Sequence, residues 1–551
     1  MKPFDLFSHA VRAKEIFSVL ARHGFSDLLD QLDLPVGIRE RLGPTPQAER
    51  NVWVRIRLVL EDLGPTFVKF GQLMSMRPDA LPAPLILELR KLQDHVRPVP
   101  FEDIRPILAE AIPGELSAIF TEFNETPIAS ASLAQVYFGR LRSDARCVAV
   151  KVQRPHIART VQVDLEFAAW IAGQLHQRFA GLRPYDLPVV IEEIREGLKR
   201  ELDFSGEARN QQYFNTQNPF PDRVFAPAVV NELTSERVLV MDHVEGKPAG
   251  RAPITPELGR LLAGFGARSI VHQILIAGFF HADPHAGNVI VTPDGRLCFI
   301  DWGLAGHLTR RLRYALADFW LAAVEQDAER IVQIALRLGS TGRRFDQRVM
   351  EKEVTLALRE ELNFAIGRQE LGRAMLKLLF IFGQHGVMLS RDYSLMAKAI
   401  LSIEEIGRLL DPQFDLRVHT EEVLREVYSE RANPKTLARE FKDFVRNSAH
   451  TLREMPDEMH RILRRLENDD LTVNFNHQGL EDLDDGLRTA ANRLTVGIII
   501  ASLVIGSAHL MTTHIPPFIG DYPLWGVIGF VTSFLLGIYV VWDIIRHGRH
   551  K

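Results

Sequence analysis

The chain has 551 residues, a formal net charge of −4 and 46% hydrophobic residues. It is too long for one core and apolar enough to bury several, which excludes the disordered and fibrous classes and predicts two or more domains. The mildly acidic balance, with no basic stripe, gives no electrostatic footprint for nucleic acid.

The opening segment, "MKPFDLFSHAVRAKEIFSVLARHGF", has no continuous apolar run and is broken by charge, so it is not expected to act as a cleaved signal peptide. Residues 1–115 read as a helical extension interrupted by "LGPTPQ" and "LPAPLILELRKLQDHVRPVP". Within it, "GPTFVKFGQLMSMRPDALP" starts at Gly64. At about 100° per residue, Phe67, Phe70 and Met74 form an apolar stripe, and Lys69 and Gln72 fall together on the opposite face. A solvated helix face would explain that pair unless another part of the chain needs it.

Residues 116–245 shift to short β-branched runs, "LAQVYFGRL", "RCVAVKV" and "RVLVMDHVEG", with a helix-like stretch between, and predict a small sheet carrying helices. Residues 246–445 read as mainly helical apart from a strand-loop-strand piece, "GFFHADPHAGNVIVTPDGRLCFIDWGLAG", in which "PDG" predicts a hairpin turn. Cys147 and Cys298 are the only cysteines. Each lies in an apolar run, as expected of buried thiols in a reducing compartment.

The chemistry concentrates in that strand-loop-strand piece. Asp283 is followed five positions on by Asn288, and one strand-turn-strand later by Asp301 in a D-x-G setting, the spacing of a kinase catalytic loop and its D-F-G partner. Phosphoryl transfer needs hard oxygen ligands for magnesium, here Asn288 and Asp301, and a second carboxylate, Asp283, to orient or deprotonate the nucleophile. "CVAVKVQRP" places Lys151 at the end of a strand in a V-A-V-K setting, suited to contacting phosphates. "LKRELDFSGEARN" offers Glu201, Asp203 and Glu207, expected on one helix, with Glu207 as the ion-pair partner of Lys151. A rival reading takes His281, Asp283 and His285, which alternate and would share one face of a strand, as a zinc or iron site. The phosphate loop departs from G-x-G-x-x-G: "PIASASLAQVYFG" has Ala129, Ser130, Ala131 and Ser132 in place of glycines, and predicts a stiffer loop. No A-P-E follows "DWG", so no activation segment for docking a polypeptide is expected.

A charged connector, 446–493, leads to two apolar stretches, Leu494–Met511 and Leu524–Ile545, each long enough to cross a bilayer as a helix. The joining "TTHIPPFIGDYP" contains no Lys or Arg, whereas Arg488 and Arg493 precede the first stretch and Arg546, Arg549 and Lys551 follow the second. By the positive-inside rule both ends, and the large domain, are expected on the cytoplasmic side.

With these residues in hand the chain resembles the UbiB family of atypical kinase-like proteins, the AarF and ADCK relatives. The family's K-x-G-Q motif corresponds to "KFGQ" from Lys69 to Gln72, its alanine-rich loop to Ala129–Ser132, and its E-x-D motif to Glu201–Asp203. The match runs from about Gly64 to Gly306, with Ser130 inside the loop and Trp302 in place of the usual Phe of D-F-G as departures. The resemblance implies a two-lobed, protein-kinase-like α+β fold with an N-terminal helical extension and a C-terminal transmembrane helical hairpin. It implies that Lys69 and Gln72 face the nucleotide pocket and Glu201/Asp203, closing the cleft from within. It also implies ATP/ADP and Mg2+ as cofactors and a magnesium-dependent ATPase or small-molecule kinase supporting ubiquinone or related prenyl-quinone biosynthesis at a bacterial inner membrane. The implied partners are the bilayer, quinone intermediates and quinone-biosynthesis enzymes. The alternative is a pseudokinase scaffold that organises lipid intermediates without phosphoryl transfer. The backbone of Met241, Asp242, His243 and Val244 is expected to hold adenine, with Val136 and Ala149 on its faces. A dinucleotide fingerprint, which an oxidoreductase would need, does not occur.

Overall fold

The structure, a computed structural model, describes residues 10–25, 51–75, 77, 81–92, 96–179, 186–341, 346–362, 371–434, 438, 442, 481–513, 516–519 and 522–547. The chain forms two compact units, Met1–Arg439 and Glu440–Lys551.

The first unit opens with α1 (Ala10–Arg22), α2 (Val52–Leu63), α3 (Pro65–Met74) and α4 (Ala83–Leu89). Helix α3 starts abruptly because Gly64, at φ 96°, takes a turn conformation open to glycine, and Pro65 occupies a first-turn position where its missing N–H is harmless. An interruption is expected where α4 lies. Its prolines, Pro82 and Pro84, sit at the N-terminus, which tolerates them, and Leu85, Ile86 and Leu89 bury in the core of the extension. Helix α5 (Phe101–Ala111) instead packs Phe101, Ile104 and Leu108 against the sheet that follows.

That sheet is antiparallel, in the order β1 (Phe120–Phe123), β3 (Ala134–Leu141), β4 (Cys147–Gln153), β6 (Val238–Asp242), with β2 (Ala129–Ser130) paired to β3. Between β4 and β6 the chain makes α6 (Ile157–Arg178), α7 (Leu187–Leu202) and α8 (Phe204–Gln217). The acidic trio expected on one helix spans two. Glu201 ends α7, Asp203 is extended at φ −92° and ψ 91°, and Glu207 lies in the first turn of α8. The carbonyl of Asp203 accepts from the N–H groups of Gly206 and Glu207, so the residue closes one helix and opens the next.

The second lobe carries α9 (Pro256–His272), the antiparallel pair β8 (Phe279–His281) and β11 (Ala305–His307), and a sheet ordered β5 (Val224–Phe225), β10 (Leu297–Phe299), β9 (Val289–Val291), β7 (Lys247–Pro248). The β9–β10 hairpin turns through Gly295 at φ 77°, as "PDG" predicts. Helices α10 (Arg310–Val324), α11 (Ala328–Leu338), α12 (Gln347–Glu361), α13 (Leu371–Gln384), α14 (Arg391–Leu410) and α15 (Leu416–Ala432) complete it. The buried Glu404 of α14 accepts the first N–H groups of α13, those of Leu371 and Gly372, both at 2.9 Å. A carboxylate on a helix N-terminus fixes these helices to each other. Both cysteines are free thiols. Cys298 is buried, and burial raises its pKa; Cys147 is only half-buried, because it opens β4 at the edge of the loop before it.

In the second unit, α16 (Glu481–Thr512) and α17 (Leu524–His547) lie against each other. Ala491–Thr512 and Leu524–Trp542 are long and apolar enough to cross a membrane, and only 6% and 11% of these windows are buried. They are candidate membrane spans by length and composition, and they expose large apolar side chains such as Ile498, Phe534 and Trp542. Gly529 lets the helices approach: a Cβ there would collide with Ser507 Oγ. Residues 446–480 of the expected connector lie outside the described residues.

Candidate functional site: a kinase-like cleft

Strand β4 delivers Lys151, and α8 delivers Glu207, which is almost wholly buried. Lys151 Nζ donates to Glu207 Oε1 at 2.9 Å and Oε2 at 2.8 Å, and to Asp301 Oδ1 at 2.8 Å. Burial works against the ammonium, but Asp301 and Glu207 outweigh it and hold the Lys151 pKa above its ordinary value. Burial pushes the Glu207 carboxyl up, against the pull of Lys151. Asp301, with its side chain about half exposed, is held well below the usual carboxylate range chiefly by Lys151, with Lys69 adding to the effect. Its φ of 61° is a left-handed conformation, sparsely used by residues with a side chain and often found at functional sites.

The catalytic-loop residues come from β8 and the segment after it. His281 is buried. Its Nδ1 accepts from the Asp283 N–H at 3.1 Å, and its Nε2 lies 3.0 Å from the Ile300 carbonyl, which requires the Nε2–H tautomer. This ring ties the Asp283 loop to the segment after β10 that carries Asp301. His285 Nδ1 accepts from the Gly287 N–H at 3.0 Å. Among the described residues no cluster of His, Cys, Asp and Glu has the geometry of a metal site, so the rival zinc or iron reading finds no support. Asn288 Nδ2 donates to the Asp283 carbonyl at 3.2 Å, so its amide oxygen is the atom that could take a cation. A carboxylate from Asp301 and an amide oxygen from Asn288 are the hard donors magnesium takes when phosphates and water complete its shell.

Trp302 is fully buried. Its indole N–H donates to the Phe299 carbonyl at 3.0 Å, and its ring stacks on Phe214 at 4.6 Å and on Phe279 at 5.9 Å. The departure from Phe is therefore accommodated in the core, between α8 and β8.

Val136, Ala149 and Met241 fall in one small apolar cluster with Leu239, Phe204 and Ala208. Register places Ala149 opposite Met241 and Val136 opposite Lys151, so these side chains line the end of the sheet next to the lysine. The N–H groups of Asp242 and His243 already donate, to the Ala228 and Cys147 carbonyls. Of the four residues expected to hold adenine, Asp242 and His243 therefore have their N–H groups already engaged. In the loop, Arg154 Nε donates to the Ala131 carbonyl at 2.8 Å, and its Nη2 donates to Ser130 Oγ at 2.8 Å and the Arg97 carbonyl at 3.0 Å. Ser132 is buried, and Ala129 and Ser130 pair with β3. The loop is tied down by an arginine that sequence reasoning missed although it directly follows β4.

Helix α3 is buried nearly all round, and Lys69 Nζ reaches Glu201 Oε2 at 2.9 Å, with side chains 18% and 10% exposed. Lys69 therefore faces the acidic cluster, not solvent. Gln72 diverges: its Nε2 donates to the Leu92 carbonyl at 3.3 Å and braces the extension. Asp203 pairs with Arg209 at 3.2 Å. A second lysine went unrecognised in the sequence. Lys398 of α14 places Nζ 2.8 Å from Asp283 Oδ1. Burial would raise the Asp283 pKa, but Lys398, then His285 and Lys69, hold it below its ordinary value.

Comparison with known proteins places the chain among kinase-like relatives. A model of the ABC1 atypical kinase-like domain matches residues 91–335, one of the UbiB helical domain matches 362–415, and one of the ABC1/UbiB kinase-like C-terminal domain matches 478–546. A protein of Xanthomonas oryzae pv. oryzae named "Probable protein kinase UbiB" is 30% identical over 94% of this chain and 96% of its own. The chain belongs to the UbiB/ABC1 family of atypical kinase-like proteins. A UbiB protein of Aeromonas salmonicida is 33% identical over 76% of this chain and 78% of its own. An uncharacterized protein encoded 5′ of hydrogenase 1 in Clostridium pasteurianum is 28% identical over 98% and 99%. Among solved structures, the complex of Rv3197 with erythromycin from Mycobacterium tuberculosis aligns at 26% identity and a TM-score of 0.46, covering 66% of this chain and 93% of that one. The UbiB helical match includes α14, the helix that carries Lys398.

Proposed function

We propose that this UbiB-family protein is a magnesium-dependent ATPase or small-molecule kinase supporting ubiquinone or related prenyl-quinone biosynthesis at the cytoplasmic face of a bacterial inner membrane. The observation that carries the phosphoryl-transfer reading is Lys151 bridging Glu207 and Asp301 at 2.8 Å, with Asn288 and Asp283 in the adjoining loop. Lys151 contacts the nucleotide phosphates, Glu207 orients Lys151, Asp283 orients the acceptor hydroxyl or water, and Asn288 and Asp301 hold magnesium. Magnesium, when bound, offsets negative charge on the phosphates. The loop from Ala129 to Ser132 covers the phosphates, and Val136, Ala149 and the Met241–Val244 backbone enclose adenine. The quinone assignment rests on the family resemblance, and the two apolar helices supply the membrane tether that a lipid-soluble substrate calls for. The test is to incubate the full chain with γ-labelled ATP and membrane lipid: label appearing in inorganic phosphate or a phosphorylated lipid supports the reading. Tight ATP binding with no ADP formed contradicts it and supports the scaffold alternative.

In this reading Lys69 and Glu201 form an internal restraint. Lys69→Met leaves the nearly buried Glu201 without that cation, a loss of about 3 kcal/mol for a broken buried pair. The variant is expected to melt earlier but cooperatively, with altered nucleotide affinity and turnover. Adding Glu201→Gln recovers part of the melting temperature. Affinity and turnover equal to the parent would remove the restraint role from Lys69.

A further inference from the structure

The loop between Asp283 and Asn288 is Pro284, His285, Ala286 and Gly287, with no lysine or arginine. Lys151 neutralises charge on the Asp301 side of the cleft, where it is already shared between Asp301 and Glu207. On the Asp283 side, a cation within ion-pair distance of the carboxylate comes from another part of the fold. Lys398 stands in the run "LMAKAIL", where Leu395, Met396, Ala397, Ala399 and Ile400 are all buried. A lysine in such a run is costly unless its ammonium emerges at a site that uses it. It does emerge: the Lys398 and Asp283 side chains are 29% and 25% exposed. Helix α14 is a rigid platform, fixed by Glu404 capping α13 and by its packing along α9 and β11.

We infer that Lys398 is the γ-phosphate-binding cation of this site, so that the UbiB helical domain contributes directly to the cleft. The inference rests on the nucleotide reading above. An ammonium has three donors, so Lys398 can keep Asp283 and still reach a phosphate oxygen. As the acceptor oxygen bonds to the γ-phosphorus, the bond to the β,γ-bridging oxygen breaks and its electron pair leaves with ADP. The acceptor proton passes to Asp283, and Lys398 stabilises charge on the transferring group. A cation in this position distinguishes nucleotides with a γ-phosphate from ADP, which an ion pair serving only the fold would not do.

The experiment measures affinity of the full chain in liposomes for magnesium-bound AMP-PNP and ADP, in the parent, Lys398→Ala and Lys398→Arg. The alanine variant is expected to lose about tenfold in AMP-PNP affinity, the loss of one charge-assisted hydrogen bond, and to keep ADP affinity within about twofold. Its turnover is expected to fall about 100-fold. Arginine restores most of the AMP-PNP preference, and retained ADP binding reports that each variant is folded. Equal losses for both nucleotides, in the alanine and arginine variants alike, or no change for either, would make Lys398 a structural ion pair and overturn the inference while leaving the nucleotide reading intact. A parent that binds neither nucleotide overturns both.

Discussion

Asp301→Asn is expected to reduce magnesium-dependent ATP turnover by about 1,000-fold or more while leaving the fold in place, since a preorganised charge is removed where phosphate charge must be offset. The amide keeps the shape of the carboxylate but loses the charge, so magnesium is held more weakly. Lys151 loses one partner and keeps Glu207, which accepts two of its hydrogen bonds. Because the Asp301 side chain is about half exposed, loss of its ion pair costs little in stability. Turnover by stopped assay, with nucleotide binding and a melting curve on the same preparation, checks all three parts. A variant with a parental melting temperature and parental turnover would remove Asp301 from the chemistry.

The largest effect on stability is expected at the next residue. Trp302→Ala removes a fully buried indole that stacks on Phe214 and Phe279 and contacts His281 at 4.7 Å between ring centres. A cavity of that size costs about 3–5 kcal/mol. The loss falls where α8, which holds Glu207, meets β8, which leads into Asp283, so activity at moderate temperature should fall with stability. Trp302→Phe keeps most of the ring contact and loses the hydrogen bond to the Phe299 carbonyl, a cost of about 1–3 kcal/mol for an orphaned acceptor. It is expected to retain turnover at low temperature. Denaturant unfolding checks the order: parent, then Phe, then Ala. An alanine variant as stable as the parent would contradict the packing role.

The parts of the site legible in the sequence are those whose spacing is set by short-range geometry. Asp283, Asn288 and Asp301 sit on one loop and one hairpin, so their separation along the chain reflects their separation in space, whereas Lys151, inside β4 and 150 positions from Asp301, was legible from its V-A-V-K setting. Glu207 was legible as the partner of Lys151, but the break at Asp203 was not. "RELDFSGEA" contains no proline at that point, and the chain leaves the helix there because Asp203 adopts an extended backbone and its carbonyl starts the next helix. Lys69 announced itself as a cation in an otherwise buried helix, and that it faces Glu201 was legible through the family resemblance, not through any local pattern. Lys398 carried the same signal, a lone lysine inside an apolar run, but nothing local points from α14 to the Asp283 loop. Gln72 shows the converse: it shares a motif with Lys69, and its hydrogen bond goes to the backbone of Leu92. The two candidate membrane spans were legible from length and apolarity alone, because a helix satisfies its own backbone and needs no partner to be recognised.

The central claim is that the cleft turns over ATP in support of prenyl-quinone biosynthesis at a membrane, whose ring precursors are phenols. The measurement that tests it most directly is magnesium-dependent ATP hydrolysis by the full chain in liposomes, with and without a phenolic quinone-precursor mimic, using Asp301→Asn as the control. The account predicts turnover that rises with the mimic and is absent from the control. Nucleotide bound with no turnover in either protein would contradict it and leave a scaffold.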